Sequence, residues 1–149
     1  MQSVFDPSVL ETFIRRINKL SPEAKPQWRK MTAAQMLTHI QQPVKAGLGE
    51  LNLKKTIARI LSDKWAMNKF RQGKGFGKNS TTDIHFIFRD DRNFEVEKQN
   101  AISIIIRFSK GGREMITKDP HSFFGKMPSQ DLDLLPATHP DHHLTQFNA

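Results

Sequence analysis

Met31-Thr32-Ala33-Ala34-Gln35-Met36-Leu37-Thr38-His39-Ile40 begins the clearest helix in the chain. Thr32 is a helix cap, and Gln35, three residues on, is its reciprocal partner in a capping box. Met31 before the cap and Met36 after it are placed to form a hydrophobic staple. Met36, Leu37, Ile40, Val44 and Leu48 then recur at helical spacing and predict one buried stripe running to Gly49. His39 follows Met36 by three residues, so it lies on the edge of that stripe and faces inward. A single histidine on an apolar face is more often a core residue than a ligand, and the helix alone leaves both roles open. Pro43 removes the bond to the carbonyl of His39 and predicts a bend there.

Three further segments carry the same period. Asp6-Pro7 opens a helix, with Asp as the cap and Pro at the first position, where its missing N–H is not needed. Val9, Leu10, Phe13, Ile14, Ile17 and Leu20 form its apolar face, and Ser21-Pro22 ends it. Residues 21 to 30 read as a loop closed by Trp28. Phe94 to Lys110 reads as another helix, capped within Asp90 to Asn93 and stopped by Gly111-Gly112. Its acidic first turn (Glu95, Glu97) and basic last turn (Arg107, Lys110) favour helix over strand for the run Ile104-Ile105-Ile106. Residues 113 to 128 read as loop. A last helix, capped by Ser129, carries Leu132, Leu135, three histidines and Phe147.

Between the second and third of these helices lies a different kind of sequence. Residues 51 to 80 hold Lys54, Lys55, Arg59, Lys64, Lys69, Arg71, Lys74 and Lys78 against Asp63 alone. That is nearly the whole formal net charge of +8, so the remainder of the chain is close to neutral. Leu51 to Arg71 is amphipathic, with Ile57, Ile60, Leu61, Trp65 and Phe70 opposite the bases. Gln72 to Ser80 is a glycine-containing loop. It lacks the Ser or Thr that a phosphate-binding loop places after Gly-Lys, since Asn79 follows Lys78. Asp83 to Arg89 alternates weakly and suits a short extended piece.

The 149 residues suit one domain, 1–149, with 51–90 as a basic insertion. The chain has no cysteine, which excludes disulfides, thiolate zinc sites and cysteine nucleophiles. The first residues have neither a basic flank nor an apolar run, so no signal peptide is expected, and a cytoplasmic protein fits.

His139-Pro140-Asp141-His142-His143-Leu144-Thr145-Gln146 concentrates half of the six histidines. On a helix His139 and His143 lie one turn apart on one face, about 6 Å along the axis, where both can reach one ion. His142 points about 100° away from His143. Pro136 and Pro140 predict a break or a kink; one resolution is a new start with Thr138 as cap and Asp141 as its capping-box acid. Two histidines make an incomplete site, because a catalytic metal usually has three protein ligands and an open position.

Taken together, His39 and His139-x-x-His142-His143-x-x-Gln146 resemble the DinB-like superfamily. Further stretches resemble one uncharacterised branch of it: Pro26-x-Trp28-x-Lys30-Met31-x-x-x-Gln35-Met36-Leu37-x-His39, then His121-x-Phe123-Phe124-Gly125-Lys126-Met127, then Gln146-Phe147. The resemblance covers most of the chain except the basic insertion. It implies an all-α, DinB-like four-helix bundle, here with a long basic connection between the second and third bundle helices. It implies a divalent metal ion, zinc or nickel, held by His39, His139 and His143, with His142 and Gln146 as supporting residues. His85 and His121 have no partner at ligand spacing.

Three functions compete on this evidence. A metal-dependent enzyme would use the three-His site to activate water or a thiol, acting on a small-molecule substrate or a low-molecular-weight thiol. Asp141 and Asp133 are its nearest candidate bases. A non-catalytic metal-binding protein would use the ion to tie helices together. A basic binding module would dock residues 54–78 on nucleic acid or an anionic membrane. A homodimer is compatible with each.

Overall fold

A computed structural model describes residues 3–51, 86–116 and 134–149, together with Asn68, Gln72, Gly77 and Lys78. Four α-helices span these residues: α1 (Pro7–Lys19), α2 (Ala33–Gly47), α3 (Phe94–Gly111) and α4 (Leu134–Gln146). No strand occurs among the described residues, so the architecture there is all-α. None of these helices is long and apolar enough to cross a membrane. The basic segment expected to form an amphipathic helix over 51–71, most of the loop 72–80, and His85, His121, Ser129, Leu132 and Asp133 lie outside the described residues.

Local chemistry accounts for the helix ends. The Asp6 carboxylate accepts from the Ser8 N–H at 2.9 Å, and Pro7 occupies the first turn of α1. The Thr32 hydroxyl accepts from Gln35 N–H at 3.1 Å, while Gln35 Oε1 accepts from Thr32 N–H at 3.0 Å, completing the expected box. Asn93 caps α3 by accepting from Val96 N–H. Gly112, at φ +66°, ends it in a conformation that side-chain-bearing residues rarely adopt. A 3-10 turn over Arg113–Met115 follows, where the sequence reads as plain loop. Phe86 to Arg89 forms no strand.

The core joins all four helices. Val9, Phe13 and Ile17 of α1 meet Met36, Leu37, Ile40 and Val44 of α2, Ala101, Ile104, Ile105 and Phe108 of α3, and Ala137 and Leu144 of α4. Each fully buried Leu, Ile or Phe contributes about 2 kcal/mol. The most extensive packing is between α2 and α3. Gly47 permits part of it: a Cβ there would lie 3.1 Å from the Phe108 ring, which itself stacks on Phe5.

Two further findings depart from the sequence reading. First, α2 is buried far beyond a single stripe. Thr38, Gln41 and Gln42 are buried along with the apolar residues and Pro43. Gln41 and Gln42 donate back to the carbonyls of Leu37 and Thr38, and Gln41 also donates to the Glu97 carboxylate of α3 at 2.8 Å. Satisfied amides of this kind are tolerated in a core. Second, α4 is one helix through Pro136 and Pro140, with no restart at Thr138. Pro140 removes only the bond to the Pro136 carbonyl. The burial of Ala137, Pro140 and Leu144 favours keeping the helix intact. Asp141 is no cap; it pairs with Arg16 of α1.

Candidate metal centre

His39 stands in the middle of α2, and His139 and His143 stand one turn apart on α4. The contact between α2 and α4 brings the three rings together. Their centroids form a nearly equilateral triangle: 4.7 Å for His39–His139, 4.5 Å for His39–His143 and 4.6 Å for His139–His143. One ring nitrogen from each lies within 4.8 Å of the other two. Exposure is 5%, 7% and 8% for His39, His139 and His143, so the cluster is almost fully withdrawn from water.

Hydrogen bonds settle the tautomers of two rings. His39 Nδ1 lies 2.9 Å from the Phe86 carbonyl. A carbonyl oxygen only accepts, so Nδ1 carries the proton and Nε2 the lone pair. His143 Nδ1 lies 2.8 Å from Gln146 Oε1. The orientation of that amide is fixed in turn, because Gln146 Nε2 donates to the Trp28 carbonyl. His143 therefore also presents an unprotonated Nε2. Tethering one ring nitrogen so that the other can ligate is the usual support for a metal-binding histidine.

Electrostatics hold the imidazoles neutral. Burial is the main cause of a lowered pKa at all three, and repulsion within the cluster adds to it at His139 and His143. His143 is pushed down to about 3, and His139 well below the usual histidine range. Neutral imidazole is the form that binds metal.

The donor set fits a small divalent ion. Zinc–nitrogen bonds of about 2.0–2.1 Å in tetrahedral geometry separate the nitrogens by about 3.4 Å. The observed nitrogens lie within 4.8 Å of one another. Among the described residues this is the cluster of His, Cys, Asp or Glu that can hold an ion, and it contains no carboxylate.

His142 is half-buried, its ring 5.0 Å from that of His143 and 5.6 Å from that of Trp28. Gln146 is fully buried. Asp141, one of the two candidate bases, directs its carboxylate to Arg16. The Phe86 carbonyl is a partner that sequence reasoning missed, because a backbone acceptor has no residue signature. The loop before α2 was also underread. Gln27 N–H donates to the Gln146 carbonyl at 2.8 Å, fastening residues 27 and 28 to the end of α4.

Comparison of the chain with protein-family models, with curated proteins and with solved structures found no match.

Proposed function

We propose that this protein is a metal-dependent enzyme of the DinB-like kind, with His39, His139 and His143 holding a divalent ion. Zinc and nickel are the ions best suited to three neutral nitrogen ligands. The observation that carries the reading is the convergence of three buried histidines from α2 and α4 into one triangle. Burying three polar rings side by side costs desolvation and mutual repulsion, and a shared cation is what turns that cost into binding. In this reading the long basic connection between α2 and α3 is an addition to a four-helix bundle.

When bound by these histidines, such an ion would supply Lewis-acid chemistry, polarising a substrate oxygen or lowering the pKa of a water or thiol. The chain's own part is to hold the rings. Phe86 and Gln146 fix two of them, and the surrounding core excludes water. A second reading has an observation of its own. The near-complete burial of all three rings also suits an ion that only ties α2 to α4. Cobalt(II) loading separates the two, since a small thiol added to an open site changes the visible bands and a closed site does not respond.

The ligand assignment has a direct test. His39→Ala, His139→Ala and His143→Ala are each expected to cut bound metal from about one ion per chain to a tenth or less, because two imidazoles hold an ion poorly. His142→Ala is expected to keep it. Elemental analysis of untagged protein reads the result. Retention of full metal by His39→Ala would remove α2 from the site and sink the proposal.

A further inference from the structure

Residues 86–93 are the last part of the connection between α2 and α3, and they lie against the face of α2 that carries His39. Among them Phe86 alone is buried, at 3% exposure, while Ile87, Arg89, Asp90, Asp91 and Asn93 are exposed. Neither helix nor strand holds Ile87 to Asn93. Two hydrogen bonds join this backbone to α2. His39 Nδ1 donates to the Phe86 carbonyl at 2.9 Å, and Gln35 Nε2 donates to the Asp90 carbonyl at 3.1 Å. Gln35 precedes His39 by one turn, so both donors stand on one face of the helix. The Phe86 ring also meets the His39 ring edge-on, with centroids 6.4 Å apart.

Residues 86–90 thus form a strap over the first half of α2, with one side chain fully inserted and one carbonyl fastened to a histidine of the cluster. Beyond it, Arg92 lies 3.7 Å from the buried Glu97 carboxylate of α3, which accepts from Gln41 of α2. The far end of the strap therefore belongs to the α2–α3 packing, and its near end to the histidines.

Segments with little burial open locally more easily than a core does. The His39 bond makes that opening sensitive to the cluster. A cation on Nε2 draws electron density from the ring and makes the Nδ1–H a stronger donor, which strengthens the bond to Phe86. Linkage requires the converse: release of the Phe86 carbonyl weakens the hold of His39 on the ion by the same factor. We propose that the seating of residues 86–90 and the state of the His39 ring form one equilibrium, so that a metal on the cluster holds the strap down and release of the strap loosens the metal. This coupling rests on the metal reading above and adds a means of regulation to that site, since whatever displaces the end of the connection lowers the affinity for the ion.

The test follows hydrogen exchange of the full chain with and without zinc, and measures zinc affinity by competition with a coloured chelator. Zinc is expected to slow exchange of the amides of residues 87–93 about tenfold. An uncoupled strap opens locally at the same rate with or without the ion, and that result overturns the proposal. Gln35→Glu keeps the acceptor that the α2 cap needs and removes the donor to the Asp90 carbonyl. It is expected to speed exchange of the strap and to weaken zinc binding about fivefold. Thr32→Ala harms the same cap but leaves both strap bonds in place, and it is expected to keep the wild-type affinity. No loss in Gln35→Glu, or an equal loss in Thr32→Ala, overturns the proposal. Should zinc fail to bind the wild-type chain, the metal reading fails on its own. The metal-free chain then decides the coupling: His39→Ala removes the donor to Phe86, so strap exchange about tenfold faster sustains it and unchanged exchange overturns it.

Discussion

Gln146 does more for the cluster than its position outside it suggests. Its amide accepts from His143 and donates to the Trp28 carbonyl, so one side chain orients a histidine of the cluster and anchors the loop before α2. Gln146→Leu keeps the size and removes both bonds. Metal affinity is expected to fall about 10- to 100-fold, the usual effect of losing such a partner. Competition titration with a coloured chelator measures it, and an unchanged affinity would mean that packing alone sets the His143 ring. The burial of the histidines makes a second prediction, for the metal-free chain. Their folded-state pKa values lie below the ordinary value of 6.5, so the unfolded chain binds more protons between the two values. Stability is therefore fully present above about pH 6.5 and is lost as pH falls. For His143 the loss continues to about pH 3. Each shifted group costs about 1.4 kcal/mol per pH unit in that window. Urea unfolding at pH 7 and pH 5 is expected to differ by at least about 2 kcal/mol; a flat profile would show the rings to be hydrated. Both the inward placement of His39 and the one-turn pairing of His139 with His143 were legible from spacing. Their hydrogen-bond partners were not, because Phe86 contributes a carbonyl and Gln146 reaches Trp28 across 118 positions.

At the level of elements, helix ends were the most legible feature. Asp6-Pro7, Thr32 with Gln35, and Gly112 act locally, within one turn, so their chemistry does not depend on the rest of the fold. The continuity of α4 was misread for the opposite reason. A proline removes one bond locally, and the burial that outweighs it is supplied by other helices. Arg16 shows how α4 is held. Its guanidinium reaches the Asp141 carboxylate and the Thr145 hydroxyl, and its Nε donates to the Ala149 carbonyl at 2.8 Å. Arg16→Leu removes this fastening of α4 to α1 without touching the cluster. It is expected to cost about 1–2 kcal/mol, a modest figure because Asp141 is exposed. The melting temperature should fall by several degrees with metal stoichiometry unchanged. Loss of metal in this variant would show that the position of α4, and not only its histidines, sets the site.

At the scale of the whole molecule, the clustered histidines come from distant parts of the chain: about a hundred residues separate His39 from the two histidines of α4. That separation has a kinetic consequence. The trio is complete only once α4 has docked on α2, and such long-range closures are made late because their entropy must be met first. An ion that binds only the finished triangle has nothing to grip in the folding transition state. Its stabilisation should then appear almost entirely as slower unfolding. At a free metal concentration of about 100 times its dissociation constant, unfolding is expected to slow about 100-fold while the refolding rate stays the same. Stopped-flow traces with and without metal measure both arms. Faster refolding in the presence of metal would mean that α2 and α4 meet early, with the ion acting as a nucleus for the fold and not as a lock upon it.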